Sequence, residues 1–135
     1  MTAITKTAAQ VGPIWPLNAE IRTRIAAEAL TAGESVYINS NGKVVKSNAG
    51  AAGTAKFRGV VLQTVGAGQA VDVQINSEIG GFAVSGLAYD DPVYLSDTAG
   101  AFDTAAGTVS VIAGRVAPMS DKDLTKVLRL NGIAG

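Results

Sequence analysis

The chain has neither cysteine nor histidine among its 135 residues. Without these residues, the usual zinc ligand sets, thiol nucleophiles, Ser-His-Asp triads and histidine general bases are excluded. A disulfide framework is excluded as well. An enzyme would have to depend on scattered Asp and Glu residues, so we expect a protein that is not an enzyme. We likewise expect no cofactor, no metal site and no small-molecule substrate.

An excess of charge of either sign is also lacking, because eleven basic and eleven acidic residues cancel. Zero net charge argues against electrostatic capture of nucleic acid or of an anionic membrane. It gives little repulsion between copies, which suits self-association. No apolar run approaches the about 18 residues of a membrane-spanning helix. We also expect no secretory signal, because no basic segment followed by an apolar run opens the chain.

Aromatic residues are scarce, at 5% of the chain, although 47% of the residues are hydrophobic. Ala, Val and Gly supply much of the apolar share, so the core must be built from small side chains. The length predicts one domain. A chain of this size buries roughly two thirds of its unfolded surface, which is enough for a core without disulfides or metals.

The sequence contains an internal repeat. Residues 30–38 match residues 87–95 at an offset of 57, with Leu on Leu, Val on Val and Tyr on Tyr. Further matches pair 41–44 with 99–102, 58–61 with 113–116, and 73–76 with 128–131. The pattern predicts two similar β units, at about 28–79 and 85–133, which we expect to pack about a pseudo-twofold axis.

Short β signals separated by glycine turns run through both units and predict an all-β fold, a small barrel or sandwich with almost no helix. Asn41-Gly42 indicates a hairpin with a type I′ turn. Gly59, inside a predicted strand, indicates a bulge or a close backbone approach. In residues 70–76, Val71, Val73 and Ile75 are expected to face the core, with the intervening polar residues outside.

Residues 20–29 fit two patterns. Ile21, Ile25 and Ala29 have helical spacing, whereas Ile21, Thr23 and Ile25 fit a strand with Arg22 and Arg24 on its outer face. We favour the strand, because every later segment is β. The two arginines form either a positive binding stripe or, as we favour, a solvated edge that discourages strand pairing.

Residues 1–19 are predicted to form an extended N-terminal arm, ahead of a single β domain at 20–135. Pro13 and Pro16 block helix interiors and central strands. Between and after them, Ile14, Trp15 and Leu17 either dock on a partner, where Trp is enriched at hot spots, or plug the end of the protein's own barrel. A disordered terminus is the simpler alternative. We expect deletion of residues 1–17 to leave a folded β domain.

Acidic residues are predicted to serve turns. Asp90-Asp91 precedes Pro92, and the pair favours a turn over a calcium site because no second acidic cluster has suitable spacing. Gly66-Ala67-Gly68-Gln69 lacks the third glycine and the helix of a dinucleotide site, so it indicates a hairpin. Tyr37 and Tyr94 occupy equivalent repeat positions and are expected to pack in the core.

The run 28–38, continued by Asn41-Gly42-Lys43-Val44 and Arg58-Gly59-Val60-Val61, resembles the capsid decoration (cement) proteins of tailed bacteriophages. The resemblance covers about residues 25–131. It implies a small β-rich protein on the outer surface of an icosahedral capsid, made in the bacterial host cytoplasm, that bridges subunits of the major capsid protein. It also implies a homo-oligomer, with a trimer favoured.

A second hypothesis is a carbohydrate- or receptor-binding β module of a phage head fibre or tail component. Exposed aromatic residues normally mark a sugar site, and Trp15, Tyr89 and Phe102 are the candidates. The scarcity of aromatic residues counts against this hypothesis.

Overall fold

The computed structural model describes residues 3–131, so Met1, Thr2 and residues 132–135, which include the end of the predicted second unit at 133, lie outside it. The described chain is all-β, as predicted, and its two antiparallel sheets pack as a sandwich rather than a barrel. Within these residues there is no α-helix, and one 3-10 turn occupies Ala8–Gln10.

Twelve strands build the two sheets of the described chain. In chain order they are β1 (Ala3–Ile4), β2 (Gly12–Pro13), β3 (Ile21–Ile25), β4 (Ser35–Ile38), β5 (Val44–Lys46), β6 (Gly59–Val61), β7 (Ala70–Gln74), β8 (Asn76–Gly80), β9 (Pro92–Leu95), β10 (Phe102–Asp103), β11 (Ile112–Pro118) and β12 (Lys126–Asn131). The five-stranded first sheet has the order β3-β7-β6-β4-β5, and the seven-stranded second sheet has the order β1-β10-β9-β11-β12-β8-β2.

The two sheets share one strand order. Without β1 and β2 at its edges, the second sheet runs β8-β12-β11-β9-β10, which is the order of the first sheet with every strand replaced by the one five places later. The five strands β3 to β7 are therefore connected in the same way as the five strands β8 to β12. This shared order is compatible with the predicted duplication. That the two halves arose from one repeated sequence stays a prediction.

Backbone hydrogen bonds also recur at equivalent positions. Gly33 N donates to Val61 O at 2.9 Å, and Asp90 N donates to Val116 O at 2.7 Å. Gly33 and Asp90 both have positive φ, at 94° and 69°. The turn that enters the Val-Tyr strand thus has the same backbone path in both halves, although only one half uses glycine there.

The predicted close approach at Gly59 is confirmed. A Cβ on Gly59 would lie 2.5 Å from the carbonyl oxygen of Gln74 on the neighbouring strand. Gly114, at the equivalent place in β11, meets the carbonyl of Arg129 even more closely, next to a register shift between Ile112 and Gly114. Each β unit therefore needs glycine where its central strand approaches the next one.

Two hydrophobic clusters lie on opposite sides of the first sheet. Successive residues Val60 and Val61 are both fully buried but belong to different clusters. The cluster between the sheets contains Ile4, Ala49, Phe57, Val60, Ile79, Val84, Val93, Leu95, Phe102, Ala113, Val116, Leu128 and Leu130. The cluster on the far side contains Ala26, Leu30, Val36, Val44, Val61, Val71 and Val73. The first sheet is therefore covered on both faces.

The halves do not pack about a pseudo-twofold axis, so that expectation is wrong. Val116 faces the inter-sheet core, whereas its equivalent Val61 faces the outer cluster. Conversely, Val60 enters the inter-sheet core, whereas its equivalent Arg115 is exposed. Unlike faces of the two sheets therefore meet, as in a stack with all members pointing one way, and Ala26 and Leu30 help to cover the outer face of the first sheet.

The hairpin at Asn41-Gly42 exists, but its turn is not type I′. Gly42 has φ of 78°, whereas Asn41 does not have positive φ. Gly42 N donates to Asn39 O, Asn39 N donates to Lys43 O, and the Asn39 side chain accepts from the amides of Asn41 and Lys43. This is a three-residue loop in which a type I turn is followed by a left-handed glycine.

The strand prediction for 20–29 is confirmed as β3, but its predicted alternation is wrong. Ile25 is 41% exposed and Arg24 is half-buried. The reason is that β3 is an edge strand, and the face of Arg24 is the face of Val71, which belongs to the outer cluster. Ile25 lies opposite the exposed Ala70.

The alternation predicted for 70–76 also fails at its end. Val71 and Val73 are buried, but Gln74 is fully buried and Ile75 only half-buried. Gln74 Nε2 donates to the carbonyls of Asn76 and Glu78, at 2.9 and 3.1 Å. Local hydrogen bonds to the backbone of the following strand thus hold a polar residue inside, against the binary pattern.

The N-terminal segment does not stand apart from the domain. β1 pairs with β10 and β2 pairs with β8, so the segment closes both edges of the second sheet. Ile4 is 8% exposed and lies in the inter-sheet cluster. The predicted arm boundary at residue 19 therefore does not coincide with the start of the core. A strand as short as β1 has no detectable period, which is why the sequence did not reveal it.

Candidate functional site

The outer face of the second sheet carries a groove of about 730 Å³. Its lining mixes polar and apolar groups, with contributions from three strands, a loop and the N-terminal segment. The lining residues are Asn18, Asn76, Ser77, Glu78, Asp90, Ile112, Gly114, Arg115, Val116, Ala117, Arg129, Leu130 and Asn131. We call this feature the outer groove.

A row of three charged residues forms the floor of the outer groove. Arg115 pairs with Arg129 across β11 and β12, and Arg129 pairs with Glu78 across β12 and β8, so all three side chains leave the same face. Arg129 Nε lies 4.0 Å from Glu78 Oε2, with side-chain exposures of 67% and 20%. An Arg115 guanidinium nitrogen donates to the carbonyl of Asp90 at 3.0 Å.

The segment that follows β2 forms one wall. Trp15 Nε1 donates to Met119 O at 2.8 Å, and Glu20 N donates to Asn76 Oδ1 at 2.8 Å. The two bonds tie the segment to β8 and to the end of β11, and place Asn18 at the groove. Because the ties are at both ends of a short turn, the wall is fixed to the sheet.

Two strained backbone positions lie in the groove lining. Ser77 has φ of 74° and Asp90 has φ of 69°, and they are the non-glycine residues with positive φ in the described chain. Such conformations are costly and tend to occur at functional sites. Their shared location singles out this face among the surfaces of residues 3–131.

Exposed aromatic and apolar residues neighbour the groove. Tyr89, next to Asp90, is 45% exposed, and its hydroxyl donates to Leu124 O. The Lys126 ammonium lies 5.3 Å from the centre of the Tyr89 ring. Leu124 is 62% exposed.

The predicted interface residues of the N-terminal segment lie on this wall. Trp15 is 41% exposed and Leu17 is fully exposed, at 101%. Ile14 is half-buried, and its amide donates to Glu78 O. Trp15 and Leu17 are therefore available to a partner, whereas Ile14 holds the segment to the sheet.

Arg22 and Arg24 lie elsewhere. They are cross-strand neighbours of Val73 and Val71 on the edge of the first sheet, so they leave its outer face, at the opposite end of the stack from the groove. Arg22 Nε lies 3.4 Å from Glu20 Oε2. The structure thus divides the predicted interface set between two surfaces.

Sequence reasoning missed Arg115 and Arg129. The repeat contained the signal that locates them, because they occupy the positions of Val60 and Gln74 in the first unit. Those two residues are fully buried at the contact between the sheets. Charged residues at equivalent positions in the second unit mark a face that the chain does not cover in the same way.

The acidic residues serve turns, as predicted for several of them. Asp91 accepts a hydrogen bond from Ala88 N, and Asp97 accepts two from Thr108. The side-chain and backbone donors of Thr125 lower the pKa of Asp123 below its ordinary value near 3.8. Within residues 3–131, no three Asp and Glu side chains converge as ligands for a metal ion.

Phe102 is 1% exposed and packs edge-on against Phe57 and Phe82, with ring centroids 6.0 and 5.4 Å away. Phe102 is therefore a core residue, and its prediction as an exposed aromatic of a sugar site is wrong. Tyr37 and Tyr94 are half-buried rather than central to the core.

No protein-family model matches the chain, and no curated protein matches it either. In the part of the chain that the structure describes, there is no helix with the length and apolar character needed to cross a membrane. The outer groove is an open feature whose floor carries two guanidinium groups, Arg115 bonded to the carbonyl of Asp90 and Arg129 near Glu78.

Proposed function

We propose that this protein is a structural component that binds the outer surface of an icosahedral phage capsid and stabilises it by bridging subunits of the major capsid protein. The resemblance of residues 25–131 to capsid decoration proteins motivates this proposal. The observation that carries it is the open outer face of the second sheet, where a charged groove lies beside the exposed side chains of Trp15 and Leu17.

The fold suits a mechanical role. The groove floor belongs to β8, β11 and β12, whose opposite face is anchored in the inter-sheet core by Ile79, Val116 and Leu128. A binding surface built on packed strands loses little conformational entropy when a partner docks. Each copy would supply a modest contact, and repetition over the capsid lattice would multiply the effect by avidity.

Self-association belongs to the same proposal. We favour a homo-oligomer, with a trimer as the expected form, located at the outer capsid surface of the virion and made in the host cytoplasm. Zero net charge supports it, because copies repel each other little. The edge strand β3 of the first sheet offers backbone groups through which such contacts can form.

The proposal is tested by measuring protein stoichiometry in gradient-purified particles of the source phage or prophage. A copy number close to that of the major capsid protein supports capsid decoration. A count of a few tens supports a vertex or fibre role, and absence from the particles contradicts the proposal.

A second candidate function is binding of a carbohydrate or a receptor within a head fibre or tail. The mixture of amide, carboxylate and guanidinium groups in the outer groove favours it, because such groups bond sugar hydroxyls, and the exposed Tyr89 precedes Asp90 of the lining in the chain. Saturable binding on a glycan array by the isolated protein, together with a low copy number in particles, would select this alternative.

A further inference from the structure

The arginine pair in the outer groove occupies an unfavourable arrangement for an unliganded sheet. Arg115 and Arg129 lie directly opposite each other on neighbouring strands, and like charges in that relation destabilise a sheet. Glu78 offsets this repulsion weakly, since its carboxylate is 4.0 Å from one nitrogen of Arg129 and also accepts a hydrogen bond from Ser77 Oγ at 3.0 Å.

The exposure of the charges in the groove is uneven. Glu78 is 20% exposed and lies against the sheet, whereas the Arg129 side chain is 67% exposed and extends toward solvent. Arg115 is also exposed, and its guanidinium donates to the backbone carbonyl of Asp90. An incoming ligand therefore meets guanidinium groups over the floor, with Asp90 at the side.

The way the two sheets stack gives an independent reason to regard the outer face of the second sheet as an interface. In the first unit the equivalent face, with Ser35, Val60 and Gln74, is fully buried against the second unit. In the second unit Val60 and Gln74 are replaced by Arg115 and Arg129. A face built to dock in one unit has thus become charged in the other, which changes the chemistry of its partner.

We propose that the outer groove binds a carboxylate-rich segment of a partner protein, with Arg115 and Arg129 holding Asp or Glu side chains by paired, charge-assisted hydrogen bonds. Guanidinium groups match carboxylates in this forked geometry. A shared carboxylate also removes the repulsion between the arginines. Only the identity of the partner, a capsid protein surface, rests on the proposed function.

The first test uses a capped hexaglutamate peptide as the probe and a capped hexaglutamine peptide as its neutral control. Titration of the ¹⁵N-labelled full chain, followed by NMR, is expected to shift amide and guanidinium signals around Arg115, Arg129 and Ser77 saturably with hexaglutamate. Equal shifts with hexaglutamine, or no saturable shift, would overturn the proposal.

Substitution locates the binding. Arg115→Gln and Arg129→Gln are each expected to weaken hexaglutamate binding about tenfold, the loss typical of a charged hydrogen bond. The matched control for the double variant Arg115→Gln, Arg129→Gln is Arg22→Gln with Arg24→Gln, which removes the same two charges from the other sheet and should leave the affinity unchanged. An equal loss in the control pair would show nonspecific electrostatic attraction and contradict the proposal.

Folding of the variants is checked by thermal unfolding, where removal of one arginine should leave Tm unchanged or raise it. Arg115→Lys with Arg129→Lys gives a second route, because it keeps both charges and loses the forked geometry. An intermediate affinity is expected for it, and full affinity would overturn the role of paired hydrogen bonds.

Particle binding separates this inference from the proposed function. With particles that lack the protein, we expect the Arg115→Gln, Arg129→Gln variant to bind at least tenfold more weakly than the unmodified chain. Peptide binding without any particle binding by the unmodified chain would contradict the capsid role and leave the groove chemistry standing. Unchanged particle binding by a variant that no longer binds peptide would overturn the groove as the partner contact.

Discussion

At the scale of single residues, glycine at two equivalent positions permits the central strand of each unit to approach its neighbour. A side chain at Gly59 or Gly114 would collide with a backbone carbonyl, which cannot move without separating the strands. We expect Gly59→Ala and Gly114→Ala each to lower the free energy of unfolding by about 1–3 kcal/mol, the usual range of overpacking.

Urea unfolding measures this effect, and Gly86→Ala is the matched control, because a Cβ there would meet nothing within 4 Å. If Gly59→Ala and Gly86→Ala were equally stable, the close approach of β6 and β7 would be wrong.

Trp15 combines a fixed position with an exposed ring. Its indole N–H is bound to Met119 O, and 41% of the residue remains exposed. If it is an anchor on the capsid, Trp15→Ala should weaken particle binding by about 2 kcal/mol or more. Trp15→Phe keeps an aromatic ring and loses the N–H donor, so a smaller loss is expected.

Binding to purified particles by co-sedimentation measures the effect, and circular dichroism checks that the variants fold. Particle binding of Trp15→Ala equal to that of the unmodified chain would remove Trp15 from the interface.

At the scale of elements, the turn between β11 and β12 contains a titratable group. Asp123 Oδ1 accepts hydrogen bonds from the amide and the hydroxyl of Thr125. Both bonds favour the charged carboxylate and lower its pKa. The contribution of these hydrogen bonds to folding stability is therefore fully present above the ordinary pKa of Asp near 3.8. It is lost as the pH falls through the lower pKa that Asp123 has in the folded state.

We expect Thr125→Val to raise the pKa of Asp123 toward its ordinary value, because the hydroxyl donor is removed while the backbone donor stays. A ¹³C NMR titration of the Asp123 carboxyl group measures this directly. Thr108→Val, which removes the equivalent donor from Asp97, provides a control in which Asp123 should be unaffected. An unchanged Asp123 titration in Thr125→Val would show that the hydroxyl bond is absent in solution.

Strands were predicted correctly where their own residues favour β structure. They were missed where only pairing with neighbouring strands makes the segment a strand. β3 and β7 were predicted within a few residues of their bounds, since β-branched residues alternating with polar ones between turn signals favour a strand. β8, with the sequence Asn-Ser-Glu-Ile-Gly, has one apolar residue and was missed. It is a strand because β12 and β2 pair with it on both sides.

At the scale of the whole molecule, the first sheet is buried on both faces, and the second sheet exposes its outer face. β6 lies at the centre of the first sheet, with Val60 and Val61 in the two different clusters. We therefore expect amides of β6 to exchange with solvent most slowly, by global unfolding, while β1, β2, β3 and β5 at sheet edges exchange by local opening.

Hydrogen exchange measured by NMR tests this order and also tests the N-terminal boundary. Edge strands β3 and β5 provide the internal reference. Protection of β1 as strong as that of β6 would show that the N-terminal segment belongs to the global folding unit. Deletion of residues 1–17 would then abolish the fold instead of leaving the expected β domain.

The sequence by itself determined the all-β class, the positions of most turns, the internal repeat and the need for glycine at position 59. These features follow from local preferences and from comparison of the chain with itself. Only the tertiary structure decided that unlike faces meet, that Gln74 is buried and that Arg115 and Arg129 share an open groove. Successive side chains of a strand point to opposite faces of its sheet, whichever face is covered. The sequence therefore shows that there are two faces, but not which of them another sheet will cover. That choice depends on the summed packing of both sheets and of the segments at 3–19 and 26–30.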